Sequence, residues 1–175
     1  HELCKQEDVL TTSYEFFPVE INGKYYGVYA IEEHFVKQLI ESQKRREGPI
    51  LKISEEGFWE SNLYTSQTKE VTSKPVFSAA TILPFKQKKT LRNEKLRKQF
   101  LNAQNLVAKY KSGENEPGHY LDIDKWAKTY ALMSVLNIDH SFIWHNQRFY
   151  YNPVTSKLEL ILFDCYAGTK EFIYR

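Results

Sequence analysis

Asp139, Asn146 and Asp164 are the residues of this 175-residue chain whose types and order could serve phosphoryl transfer. That reaction asks little of a protein: one group to orient the attacking hydroxyl, and hard oxygen ligands to hold a divalent cation against the phosphates. The stretch Asp139-His-Ser-Phe-Ile-Trp-His-Asn146 supplies an acid and an amide, and Asp164 follows the strand-like run Leu158-Glu-Leu-Ile-Leu-Phe163. An antiparallel hairpin turning near Thr155 brings Asn146 and Asp164 out at the same end of the ribbon, where one ion could touch both. The order acid, amide, hairpin, acid echoes the protein-kinase catalytic loop and its metal aspartate, with a longer Asp-to-Asn interval. Each residue also has a purely structural reading: Asp139 as a helix-terminating turn residue, Asn146 as a satisfied strand-edge amide, Asp164 as a loop acid.

The surrounding pattern must position these groups. Gln147 to Tyr151 and Leu158 to Phe163 read as the two strands of the hairpin, turning through Asn152-Pro-Val-Thr-Ser156. Before them, Trp126, Tyr130, Met133 and Leu136 recur at helical spacing behind a capping Asp122 or Asp124, and this helix is expected to be the most buried one. A longer helix is expected from Asn93 to Tyr110, with Leu96, Phe100, Ala103, Leu106, Val107 and Tyr110 on its inner face. Gly113 to Gly118 forms a linker. Asn22-Gly23 between Tyr14–Ile21 and Lys24–Ile31 predicts a second hairpin, because that dipeptide supplies the positive φ angles of a type I′ turn. Leu3 to Leu10 reads as the end of a helix, Glu32 to Arg46 as a helix stopped by Gly48-Pro49, and Ile50 to Ile53 as a short strand. Glu55 to Phe85 reads as loops with a short helical turn. Helices and strands segregate instead of alternating, which favours an α+β fold over a doubly wound parallel sheet.

Composition narrows the chemistry. An apolar fraction of 42% is enough to bury the core of one globular domain spanning 1–175, while a net charge of +2 gives no general field for nucleic acid. The one notable basic patch, Lys86, Lys88, Lys89, Arg92, Lys95, Arg97 and Lys98, reads first as a solvated face and second as a dock for an acidic partner. No membrane span is expected, because no apolar run approaches the roughly 18 residues needed. Cys4 and Cys165 make no Cys-x-x-Cys pair. His140 and His145 lack the His-Glu-x-x-His arrangement of a zinc hydrolase. Asp164 beside Cys165 would raise a thiol pKa, which argues against a cysteine nucleophile. Phe142, Trp144, Phe149, Tyr150 and Tyr151 carry no dense basic rim, so they read as hairpin core in preference to a base-stacking platform. With His1 in place of Met and an ending at Phe172-Ile-Tyr-Arg175, the chain is expected to be a piece of a longer one.

Four stretches taken together are similar to the spore-coat CotH kinase family. They are Val19-Glu-Ile-Asn-Gly-Lys-Tyr-Tyr-Gly-Val-Tyr-Ala-Ile-Glu-Glu-His-Phe35, Arg46-Glu-Gly-Pro-Ile-Leu-Lys52, Asp139-His140 with His145-Asn146, and Tyr151-Asn-Pro-Val-Thr-Ser-Lys-Leu-Glu159 closing on Phe163-Asp164. The resemblance implies a distorted protein-kinase-like fold with β-hairpins and a helical lobe, incomplete at its amino terminus. It implies transfer of phosphate from ATP, with Mg²⁺ or Mn²⁺, to Ser or Thr of a coat, surface or secreted protein substrate, and hence an extracellular, cell-surface or spore-coat setting. By the same resemblance Asp139 is the catalytic-loop aspartate, Asn146 a metal or phosphate ligand and Asp164 the metal aspartate. Lys52 and Glu33 are candidates for a nucleotide-side ion pair, in the reverse of the usual kinase order. The family commonly ends its metal motif Trp-Asp-x-Asp, whereas Phe163-Asp164-Cys165-Tyr166 holds one acid, and the seven glycines form no phosphate-binding loop. The alternative implied is a catalytically inactive adhesion or assembly module of the same family.

Overall fold

The computed structural model describes residues 1–69, 76–138 and 140–165. Asp139 and the residues after Cys165 lie outside them, as does the second half of any motif running from Asp164 to Gly168.

Two strands that the sequence marks as apolar on both faces sit at the centre of the fold. β6 (Arg148–Asn152) and β7 (Lys157–Leu162) form an antiparallel hairpin that pairs Phe149 with Leu160 and Tyr151 with Leu158. β4 (Ile50–Ile53) and β5 (Ile82–Pro84) extend it on one side, and β1 (Leu10–Thr11) joins β7 in parallel on the other. The five strands run in the order β1-β7-β6-β4-β5. Side chains alternate across the sheet, so Leu51, Ile53, Phe149, Tyr151, Leu158 and Leu160 face one way, against Phe100, Ala103 and Val107 of a long helix, α6 (Glu94–Ser112). Ile50, Tyr150 and Ile161 face the other way, against Phe35, Leu39 and Ile40. Covering both faces is what allows central strands to be almost continuously apolar.

Asn93 caps α6 by accepting the Leu96 amide, and Gly113 ends it at φ 67°, so the helix starts where expected and runs slightly longer. Asp122 caps α7 (Ile123–Leu136) by accepting the Lys125 amide. α7 is not the most buried helix, however: it buries Thr129 and Met133, whereas Tyr130 and Val135 face outward, and α6 buries more. A third apolar cluster joins Met133 to Cys4, Val9, Ile138 and Leu162.

The expected helix over Glu32–Arg46 shrinks to α2 (Lys37–Ser42). Its first residues are taken by other partners: Glu32 pairs with Tyr14 at the end of β3, and Glu33 is bonded to Ser13. Downstream, the Gln43 side chain binds the Thr11 backbone and Lys44 turns to φ 61°. The helical stripe itself is real, since Phe35, Leu39 and Ile40 are buried. At the amino terminus a single turn, α1 (Glu2–Gln6), gives way to β1.

The hairpin of β2 (Tyr14–Ile21) and β3 (Lys24–Glu32) stands apart as its own two-stranded sheet, turning at Asn22 and Gly23 with φ 53° and 78° as expected. The region expected as loops, Glu55–Phe85, instead holds α3 (Glu56–Thr68), α4 (Val76–Ala79) and β5. α3 buries none of its residues, so it has no apolar stripe to read. α5 (Gln87–Arg92) completes the elements and carries part of the basic patch. Two of that patch's lysines are paired, Lys89 with Glu47 and Lys98 with Glu94, in keeping with a solvated face.

Candidate functional site

One end of the sheet collects the polar residues. β7 leaves there into Phe163 and Asp164, β6 enters from Asn146 and Gln147, and β4 leaves into Ser54 and Glu55. Asn146 and Asp164 thus lie at the same end of the hairpin, as antiparallel pairing requires. Asp164 has φ 49°, a left-handed conformation that few residues other than Gly adopt without cost. The carbonyl just before it accepts the Ser141 hydroxyl.

His140 binds both site residues. Its Nδ1 lies 2.9 Å from Asp164 Oδ2. Asn146 Nδ2 lies 3.4 Å from both ring nitrogens and donates to the His140 carbonyl at 3.3 Å. The amide nitrogen is thus engaged by His140. Asn146 is buried, whereas Asp164 is half-exposed. Asp139, the expected catalytic acid, precedes His140 in sequence and lies outside the described residues.

Lys52 and Glu33 are not brought together as an ion pair. Glu33 accepts the hydroxyl and amide of Ser13, at 3.1 and 3.4 Å, and so fastens the base of the β2–β3 hairpin. Lys52 points from β4 toward the Phe85 ring, 5.9 Å from its centroid.

Sequence reasoning gives two residues of this end, His145 and Arg148, no part in the site. His145 stacks on Phe58 with centroids 4.6 Å apart, meets Trp59 and Trp144 edge-on, and lies 3.8 Å from Glu55. Arg148, at the head of β6, is buried over Phe163, Phe35 and Phe85. Burial holds its pKa below the usual arginine value, against the pull of Glu55 and Asp164. Only the run of aromatics around the hairpin hinted at such packing.

The arrangement is a mixed α+β fold, consistent with a kinase-like fragment, with an acid and an amide joined through a histidine at the open end of a hairpin. The chain belongs to the CotH kinase family: the family model described as CotH kinase protein matches residues 1–174. No curated protein matches the chain significantly. Among the described residues no helix is long and apolar enough to cross a membrane.

Proposed function

We propose that this protein transfers the γ-phosphoryl group of ATP to a Ser or Thr hydroxyl of a protein substrate, with Mg²⁺ or Mn²⁺. The observation that carries this reading is the convergence of Asp164 and Asn146 on His140 at the open end of the hairpin, in a chain of the CotH kinase family.

Among the described residues no cluster of three or more His, Cys, Asp or Glu side chains could hold a metal ion. The donors on offer nevertheless fit Mg²⁺ or Mn²⁺, hard cations that commonly take one or two protein oxygens and complete their shell with phosphate and water. Asp164 Oδ and Asn146 Oδ1 would be those protein ligands. When bound, the ion supplies charge neutralisation along the phosphate chain. Asp139 takes the proton of the attacking hydroxyl, His140 fixes the Asp164 carboxylate, and Lys52 faces the nucleotide phosphates. Glu33 belongs to the same side through the hairpin base, positioning the strands and not Lys52.

A specific feature favours a second reading, the inactive adhesion or assembly module: Cys165 and Tyr166 follow Asp164 where the related motif carries another acid. Labelled ATP with Mg²⁺ or Mn²⁺ and Ser-rich protein substrates separates the two. Metal-dependent transfer by the wild type that is lost in Asp164→Ala and Asp139→Ala supports the kinase. Absence of transfer by folded wild type at active concentration assigns the chain to the module reading.

A further inference from the structure

Lys52 and Arg148 face each other across the β4–β6 ladder. Like charges directly opposite one another in a sheet repel and destabilise it. Here neither side chain makes an ion pair among the described residues. Both cations instead approach one ring, Phe85, with Lys52 Nζ 5.9 Å and Arg148 Cζ 5.7 Å from its centroid. Arg148 also lies 4.7 Å above Phe163 and 5.7 Å from Phe35.

The guanidinium is only half used. Nη1 donates to the carbonyls of His145 and Gln147, at 2.9 and 3.1 Å. Nε is buried with no hydrogen-bond partner, and the side chain's hydrogen bonds among the described residues are made by Nη1. Arg148 as a whole is 8% exposed. A buried cation with no contact counter-ion is costly, and three phenylalanine faces offset that only in part. The unused edge, Nε with Nη2, is the one through which arginine grips a phosphate by two parallel N–H bonds.

We infer that Arg148 and Lys52 form a two-cation seat for the phosphate chain of the nucleotide, with Arg148 gripping phosphate oxygens through Nε and Nη2 and Lys52 adding a point charge from the neighbouring strand. The seat rests on the phosphoryl-transfer reading for the identity of its anion and on nothing else in it. It adds to the site a phosphate-binding residue, Arg148, at the same end of the sheet as Asp164.

Inorganic tripolyphosphate, which has no base or sugar, tests the seat directly. Titration of the full chain, followed by calorimetry and by thermal stabilisation, is expected to give saturable binding in the wild type. Arg148→Met is expected to weaken it about tenfold or more, as loss of a charge-assisted bidentate contact does. Arg148→Lys keeps the charge without the fork and should fall between the two, and Lys52→Met should weaken binding severalfold. Circular dichroism and unliganded melting check that each variant folds. If Arg148→Met does not fold, Arg148→Lys and Lys52→Met carry the test. No binding by the wild type, or wild-type affinity in those variants, overturns the seat. Failure of the kinase reading is distinct: it would appear as tripolyphosphate and ATP binding that depend on Arg148, with no phosphate transferred.

Discussion

His140 Nδ1 lies 2.9 Å from Asp164 Oδ2, so the acid that ends the central hairpin is held by the residue that follows Asp139 in sequence. Both side chains are substantially exposed, and an exposed pair of this kind contributes about 0–1 kcal/mol to stability. His140→Ala should therefore shift the urea midpoint little. Its effect should fall on function: metal-dependent nucleotide stabilisation is expected to drop severalfold in His140→Ala, and about tenfold or more in Asp164→Ala, where the proposed charged ligand itself is gone. A large loss of unliganded stability in His140→Ala with unchanged nucleotide response would make the histidine a structural residue only.

Gly48 is required by close approach and not by φ. A Cβ there would stand 2.2 Å from the Tyr151 carbonyl oxygen, 3.0 Å from Tyr150 Cε2 and 3.1 Å from Pro153 Cδ. The backbone cannot retreat, because the Pro49 carbonyl accepts the Tyr151 amide at 3.0 Å and Ile50 begins β4 directly after. Gly48→Ala is expected to cost about 3 kcal/mol or to prevent folding, at the upper end of overpacking penalties. A melting temperature within a degree or two of wild type, roughly the shift of a sub-kilocalorie change, would contradict this.

How far these relationships were legible in the sequence depends on whether local rules or distant partners decide them. Asn22-Gly23 and the inner face of α6 follow from local geometry and periodicity, and both formed as read. The shared end for Asn146 and Asp164 followed from antiparallel pairing alone. α3 was illegible because Trp59, Leu63 and Tyr64 face outward and none of its residues is buried. The shortened α2 was illegible because the residues that claim Glu32 and Glu33, Tyr14 and Ser13, are far upstream. Arg148 reads in sequence as one cation among many; only packing against three rings, with Lys52 across the ladder, distinguishes it.

At the opposite end of the same sheet face, Glu159 is a carboxylate with 2% exposure. Arg45 donates to its Oε2 through Nε and Nη2, at 3.2 and 3.0 Å, and Asn152 Nδ2 donates to Oε1 at 2.7 Å. Removing one member of such a pair leaves the other charge buried and uncompensated, so Arg45→Met is expected to cost about 3–5 kcal/mol. Glu159→Gln keeps an acceptor for Asn152 and should cost less. Combining Arg45→Met with Glu159→Leu should restore part of the loss, because no unpaired charge then remains in the interior. Urea denaturation of Arg45→Met, Glu159→Leu and the double variant closes the cycle; strict additivity would show that the pair is not coupled.

Asp8 makes the outer half of the same network and sets a pH dependence. Its carboxylate is bonded by Lys125 and by Arg45. Burial tends to raise its pKa, but the hydrogen bonds and charges of Lys125 and Arg45 outweigh this and hold it below the ordinary value of 3.8. The group therefore binds its proton more weakly folded than unfolded. Its stabilising contribution is fully present above about pH 4 and is lost as the pH falls through the lower folded pKa. Melting curves of the wild type and Asp8→Asn, taken from about pH 6 down to about pH 2, should be separated by a constant gap at the upper end and converge at the lower. Because Asp8 is more than half exposed, about 1 M salt should narrow the gap at neutral pH. Parallel curves across the whole range would show that Asp8 contributes nothing by its charge.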